Sequence, residues 1–179
     1  PEFHGIGYEQ IKQNLPKVKA RVTWEPVPKE DVLALVGYGP SLIRTYTFLD
    51  KYQHIMSMSG AHDLLLSIGI KPTHHIEGDP RPHKTEFIKN AQKGIQYLIA
   101  SSCHPTMIDH LLPYNLSLYN LAPEKDFVYP AGEHFMEGLG SCGLQSIYLG
   151  YLLGWRKFAL FGMDGSFEQG HVHAGEHPT

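Results

Sequence analysis

The sequence lacks the features that would settle its class at a glance. Two cysteines in 179 residues are too few for the disulfide framework of a small secreted domain, and they suit a reducing cytosol. No apolar run reaches the ~18 residues that a membrane-spanning helix needs, and no signal-peptide pattern opens the chain. Neither sign of charge dominates: 15 Lys and Arg face 18 Asp and Glu, for a formal net charge of −3. That balance, with no Lys/Arg cluster, argues against binding to a phosphate backbone and so against nucleic acid as a partner. There is no Walker loop, no internal repeat and no low-complexity tract. The first residue is Pro1 rather than Met, which points to a fragment or a processed product.

What is present is the make-up of a folded domain. Hydrophobic residues form 42% and charged residues 18% of the chain, which excludes a disordered tail or a coiled coil. Histidine is in excess, with 12 residues where average usage gives roughly four, and this favours metal or proton chemistry for a few of them. Residues 1–28 read as an amino-terminal appendage. Tyr8 to Lys19 is spaced for a short helix with Ile11 and Leu15 on one face, and Trp24-Glu25-Pro26-Val27-Pro28 breaks it.

From residue 29 to 179 the pattern becomes short apolar runs alternating with helical segments. Strands are expected over 32–36, 54–58, 73–77, 96–100, 116–120 and 157–162, with helices over 41–51, 61–69, 83–92, 105–112 and 142–154. This alternation predicts an α/β fold, a Rossmann-like sandwich with a mostly parallel sheet and helices on both faces. The continuously apolar runs Val32–Val36 and Phe158–Phe161 read as strands buried on both faces. The last helix is apolar almost all round and is expected to pack on several sides. Its small residues Gly143, Ser146 and Gly150 would let it approach the sheet or a ligand closely.

In such sheets ligands bind beyond the carboxyl ends of the strands. The first expected strand runs into Gly37-Tyr38-Gly39-Pro40-Ser41, a tight turn into a helix with Pro40 suited to its first position and Ser41 able to reach a phosphate. The second runs into Ser59-Gly60, placed to touch a base or ribose; Asp63 is either part of that contact or an ordinary first-turn acid. The third ends in His74-His75-Ile76-Glu77-Gly78-Asp79-Pro80-Arg81. Glu77 and Asp79 could share one hard cation such as Mg²⁺, and Arg81 could neutralise a phosphate. His74 and His75 are neighbours on a strand, point to opposite faces and should not chelate together.

The fourth ends in Cys103-His104, where a loop and helix cap is the plainer reading than a nucleophile pair. Residues 138–143 formally match G-x-G-x-x-G, but no strand precedes them, so NAD is discounted. A glycine-rich helix start at Ser141 and Gly143, able to receive a phosphate or sugar, remains. The last strand ends in Gly162-Met163-Asp164, followed by His171, His173 and His177. An acid and a following imidazole make an acid–base or metal–base pair; zinc on the three histidines lacks a fourth ligand.

The order of these strand-end segments, from Gly-Tyr-Gly-Pro-Ser-Leu through Ser-Gly-Ala-His-Asp, Gly69-Ile70-Lys71-Pro72, Glu-Gly-Asp and Gly-Ser-Cys-Gly-Leu to Phe-Gly-Met-Asp-Gly with a following His, resembles a known superfamily. It is similar, over about residues 31–177, to the group holding archaeal-type 6-hydroxymethyl-7,8-dihydropterin diphosphokinases and bacterial motility accessory factors. The latter are linked to nonulosonic-acid transfer onto flagellin and share a fold with CMP-sialic-acid-dependent sialyltransferases. The resemblance implies a nucleotide in the cleft, with Gly37, Gly39, Pro40 and Ser41 against its phosphates; Ser59, Gly60, Ser141 and Gly143 are expected beside it from their places at the strand and helix ends. Asp79 and Asp164 match the group's acidic strand ends and His173 falls where it often carries histidine, so these three are the expected catalytic residues; in the diphosphokinase reading Glu77, Asp79 and Asp164 would hold the metal.

Three functions follow as expectations: a Mg²⁺-dependent diphosphokinase-like transferase using ATP, a glycosyltransferase using a CMP-sugar, or a non-catalytic nucleotide- or glycan-binding module. Small-molecule nucleotide and an alcohol or sugar acceptor are the expected partners, in the cytoplasm, without membrane and with a homo-oligomer compatible with the sequence. The chain departs from the diphosphokinase pattern in carrying Glu-Gly-Asp before Pro-Arg-Pro, where those enzymes show closely spaced aspartates.

Overall fold

The run Val32-Leu33-Ala34-Leu35-Val36 shows how this chain organises its core. Alternate side chains of a strand leave on opposite faces, and here Leu33 and Leu35 join one buried cluster while Ala34 and Val36 join another. A strand buried on both sides belongs at the middle of a sheet with layers above and below it. A computed structural model, describing residues 6–122, 127–137, 140–165 and 173–174, bears this out.

Six strands form one parallel sheet: β1 (Lys29–Val36), β2 (His54–Met58), β3 (His74–Glu77), β4 (Gln96–Ala100), β5 (Asn115–Tyr119) and β6 (Trp155–Phe161). Their order is β5-β4-β3-β2-β1-β6, with every neighbouring pair parallel. The expected Rossmann-like α/β architecture is therefore present. The helices are α1 (Ile6–Asn14), α2 (Leu42–Thr45), α3 (Ala61–Ser67), α4 (Pro105–Leu111) and α5 (Cys142–Leu152), with 3-10 turns over Tyr46–Lys51 and Pro82–Ile88. Leu42, Leu49, Ala61 and Leu65 pack on the Ala34/Val36 face, and Leu149 of α5 packs on the other.

Three expectations need correction. The run Phe158–Phe161 is not buried on both faces: among the described residues β6 is the edge strand of the sheet, and Leu160 is 56% exposed. Nor is α5 packed all round. It turns Gln145, Ser146, Leu149 and Gly150 inward and leaves Leu144, Tyr148 and Tyr151 exposed. The small residues explain the choice of face: a Cβ on Gly150 would stand 2.6 Å from the Phe158 ring and 3.0 Å from Leu33. Close approach of the helix to the sheet outweighs burial of its larger side chains. The segment expected as a helix over 83–92 is instead the 3-10 turn after Pro82.

The amino-terminal segment lies against the sheet's β5 side. Asn14, fully buried, donates its Nδ2 to the carbonyls of Ser101 and Cys103 at 2.9 and 2.8 Å. Beyond it, Val22 N–H donates to Leu118 and Leu118 N–H to Ala20, so this stretch runs beside β5. Among the described residues no helix is long and apolar enough to cross a membrane.

Strand order also fixes where a ligand can enter. The chain steps outward from β1 to β5, then returns through α5 to place β6 on the far side of β1. The reversal of direction lies between β1 and β6, and the loops leaving those two strands are 37–41 and 162–165.

Candidate functional site at the carboxyl ends of the strands

The loops after β1 and β6 cross at two glycines. A Cβ on Gly37 would stand 2.5 Å from the carbonyl oxygen of Gly162, and Gly162 itself has φ +58°, so neither position accommodates a side chain. Gly37 N–H donates to Phe161 O at 2.8 Å and Gly39 N–H to Gly162 O at 2.7 Å. Asp164 then accepts the Ser41 N–H at 2.8 Å on Oδ2 and the Ser41 hydroxyl on Oδ1. Gly37, Gly39, Pro40, Ser41 and Asp164 are thus brought together, with the N–H groups of Gly37, Gly39 and Ser41 donated inside the chain.

At the end of β2, Ser59 adopts φ +48°, an uncommon left-handed conformation for a residue with a side chain. Gly60 follows, and its lack of a side chain makes room for Tyr38, whose ring a Cβ there would meet at 2.3 Å. Tyr38 in turn stacks with His173, ring centroids 5.3 Å apart and planes 16° from parallel, and its carbonyl accepts the Ala174 N–H at 2.9 Å. The imidazole is therefore carried to the strand ends by an aromatic residue that sequence reasoning passed over. The available signal was a large ring held between two glycines.

The end of β3 holds the densest charge. Glu77 is fully buried; its Oε1 accepts the N–H groups of Gly78 and Asp79 at 2.9 and 3.0 Å and the Cys142 thiol at 3.4 Å, while Oε2 is buried without a partner among the described residues. Burial raises the Glu77 pKa, against the opposing pull of Lys84, those two N–H groups and the thiol. Asp79 takes a different environment: burial alone would raise it, but Arg81 and then Lys84 hold its carboxyl below the ordinary range. Arg81 Nε donates to Asp79 Oδ1 at 2.9 Å.

Lys84, also missed in the sequence, is buried. Its ammonium lies 3.6 Å from Asp79, 3.4 Å from the Ser59 hydroxyl and 4.6 Å from the centre of the Phe87 ring. A lysine is seldom buried without a charge partner, and the pattern Asp79…Lys84 across a proline turn was the only hint.

Opposite this loop stands the start of α5. Ser141 caps it, accepting the Leu144 N–H on Oγ at 3.3 Å, and a Cβ on Gly143 would meet Met163 at 2.9 Å. Between Asp79 and Arg81 on one side and Gly140, Ser141 and Gln145 on the other lies a cleft of about 460 Å³.

Glu77, Asp79 and Asp164 are each held by partners of their own, and among the described residues no three His, Cys, Asp or Glu side chains are gathered as a metal site. His75 is buried against Ser57 and His62 while His74 packs on Trp155, in line with their opposite faces. Cys103 is buried, burial raising its thiol well above the ordinary value, and His104 caps α4 through the Thr106 N–H, so the plainer reading of that pair holds. Asp63 is paired with His62 at 2.7 Å in the first turn of α3. Leu139, part of the G-x-G-x-x-G match, and the zinc candidates His171 and His177 lie outside the described residues.

No curated protein matches the chain. Among solved structures it is similar to the MAf glycosyltransferase from Magnetospirillum magneticum AMB-1, with a TM-score of 0.64 at 14% identity over 90% of this chain. That likeness is one of fold, and the chain spans 28% of the length of that protein. Residues 8–170 match the family described as 6-hydroxymethylpterin diphosphokinase MptE-like. With all six strands and the strand-end loops inside that match, the chain belongs to the MptE-like family.

Proposed function

We propose that this protein is a nucleotide-binding transferase that moves a diphosphate from ATP to the hydroxyl of a hydroxymethylpterin-like alcohol. The observation that carries the reading is the pair Asp79 and Arg81, with Lys84 buried behind Asp79, facing the start of α5 across the cleft, in a chain of this family. Arg81 supplies a planar, bidentate cation for phosphate oxygens once Asp79 releases it. The amino-terminal end of α5 adds the partial positive charge of a helix start, beside Ser141 and Gly143. Gly37, Gly39, Pro40 and Ser41, with Ser59 and Gly60, form the wall for the nucleotide; Asp164 keeps that wall in shape through Ser41.

In the transfer, the acceptor oxygen bonds to the β-phosphorus and the bond from that phosphorus to the oxygen bridging the α-phosphate breaks. AMP leaves with the electron pair, and the hydroxyl proton passes to the imidazole of His173, held in place by Tyr38. Positioning and charge stabilisation supply most of the catalysis in such reactions.

Three carboxylates around one ion do not fit these side chains. A magnesium arriving on the phosphates, with Asp79 as its protein ligand, does fit, since that ion is commonly held by one or two carboxylates plus phosphates and water. When bound, it would neutralise phosphate charge. The free thiols of Cys103 and Cys142 and the use of ATP suit a cytoplasmic location.

The second reading, a CMP-sugar-dependent glycosyltransferase, is favoured by the Tyr38–His173 stack, which presents a base for an acceptor hydroxyl. Thermal-shift measurements with ATP, CMP and CMP-sugars, each with and without Mg²⁺, separate the two. A ligand at ~100 times its dissociation constant adds roughly 2.7 kcal/mol of apparent stability. A Mg²⁺-dependent shift with ATP that disappears in Asp79→Asn supports the diphosphokinase; a metal-independent shift with CMP supports the glycosyltransferase. Binding without turnover would leave a binding module, and no shift with any nucleotide sinks both transferases.

A further inference from the structure

Lys84 is a buried charge with no part in the bond-making above. Its side chain is 9% exposed, and its ammonium has three neighbours: Asp79 Oδ2 at 3.6 Å, the Ser59 hydroxyl at 3.4 Å and the face of the Phe87 ring at 4.6 Å. The carboxylate is the only anion of the three. Parting a buried cation from its anion leaves an uncompensated charge, which costs far more than parting an exposed pair. Lys84 therefore stays with Asp79.

Arg81 holds the same carboxylate from the solvent side. Its side chain is 45% exposed, against 19% for Asp79. Nε donates to Asp79 Oδ1 at 2.9 Å and to Oδ2 at 3.0 Å, and Nη2 donates to Oδ2. Among the described residues the guanidinium has no other hydrogen-bond partner. One carboxylate thus carries two cations, an outer one that water or another anion can replace and an inner one that is locked in.

The backbone under this pair is pinned. Asp79 N–H donates to Glu77 Oε1 at 3.0 Å, Gln10 Nε2 to the Pro80 carbonyl at 3.2 Å and Lys84 N–H to the Arg81 carbonyl at 3.2 Å. Arg81 N–H donates to Asp79 Oδ1 at 3.0 Å. The guanidinium is the part that can swing away, and both it and Asp79 line the cleft.

We propose that Lys84 is a positioning residue: it holds the Asp79 carboxylate in place while Arg81 leaves it to grip a phosphate in the cleft. The inference rests on the transferase reading above. Phosphate and Asp79 compete for one guanidinium, and a carboxylate stripped of both cations would face the incoming anion unscreened. Lys84 lowers the cost of that exchange from behind Asp79, without touching the ligand. Its contact with Ser59 ties the carboxylate to the end of β2, so Asp79 keeps its place after Arg81 has gone.

Calorimetric titration with inorganic pyrophosphate, in EDTA so that no metal takes part, tests the assignment. Arg81→Ala should weaken binding about tenfold or more, since the gripping cation is lost. Asp79→Asn, which frees Arg81, should tighten it about threefold or more. Lys84→Met should weaken it about three- to tenfold in the wild-type background and by less than about twofold when Asp79→Asn is already present, because Lys84 then has no carboxylate to hold. A lysine that met the ligand itself, or only supported the fold, would weaken binding equally in both backgrounds. Where Lys84→Met does not fold, Lys84→Gln, which keeps a donor for Ser59, completes the same cycle. Three results overturn the proposal: equal losses from the lysine substitution in the two backgrounds, no loss in either, or no pyrophosphate binding to wild type. The transferase reading fails on a different result, the absence of any nucleotide-induced thermal shift in wild type.

Discussion

Asp164 and Ser41 are 123 residues apart in the chain, and the Asp164 carboxylate accepts both the backbone N–H and the hydroxyl of Ser41. An acid at the end of the last strand is thereby used to shape the loop after the first. This gives Asp164 a part in the site that does not depend on its touching a metal.

Asp164→Ala should cost about 1 kcal/mol of stability, the scale of an exposed charge-assisted hydrogen bond, measured by urea unfolding. Ser41→Ala should cost less, because the N–H contact survives. If Asp164 shapes the nucleotide wall, the alanine variant also loses most of the ATP-induced thermal shift, beyond what its lower starting stability explains.

Gly37→Ala is expected to destabilise by about 2 kcal/mol or more, because the new methyl would meet backbone oxygen that cannot move aside. Gly60→Ala should push Tyr38, and His173 with it, away from the strand ends. Gly140→Ala, with nothing within 4 Å of the added Cβ, should stay within about 0.5 kcal/mol of wild type. Chemical denaturation of the three variants ranks them.

Lowering the pH should destabilise the fold through its buried histidines. Burial, with Lys29 and His54, brings His74 down to about 4, and burial with His62 holds His75 well below the ordinary 6.5. Between 6.5 and about 4 the unfolded chain therefore binds more protons than the folded one, so stability falls as pH falls through that window. His74 alone accounts for roughly 3 kcal/mol at most. Urea midpoints at pH 7.5 and 4.5 should show the loss, and His74→Gln should reduce it.

Glu77 has the opposite sign. Its raised pKa means that keeping it ionised in the folded chain costs stability, a cost absent below the unfolded value of 4.5 and growing as pH rises above it. Glu77→Gln keeps an acceptor for the Gly78 and Asp79 N–H groups and removes the charge. It should be as stable as wild type or more so at pH 7, whereas Glu77→Ala, which orphans both N–H groups, should lose about 2 kcal/mol. Melting temperatures at pH 5 and 8 separate the variants.

The strands were legible because most are short runs rich in apolar residues closed by glycine, proline or a polar turn, and every expected strand, the polar β3 included, lies within about three residues of an observed one. The acids at the strand ends were legible for the same reason, since position relative to a strand was all that was needed. Partnership was not. Nothing in the spacing says that Asp164 reaches back to Ser41, that Lys84 folds under Asp79, or that Tyr38 carries His173. Those contacts depend on strand order, and β6 lying beside β1 rather than beyond β5 is a property of the whole topology. The exposed side of α5 was hidden for a related reason: composition shows that a helix is apolar, but only the small residues facing Phe158 and Leu33 decide which side turns in.

The return of the chain to β1 has a consequence for how the protein is made. β1 pairs with β2 across a short connection, but its pairing with β6 joins Val36 to Phe161. Closing so long a loop is slow relative to local pairing. During synthesis the β1–β5 portion emerges first, and the wall between Gly37 and Gly162 can be built only after residue 164 has left the ribosome. The wall of the proposed nucleotide site is thus completed only after the β1–β5 portion has formed, and a chain terminated before β6 would carry five of the six described strands with the first strand's outer edge bare and open to pairing with another chain.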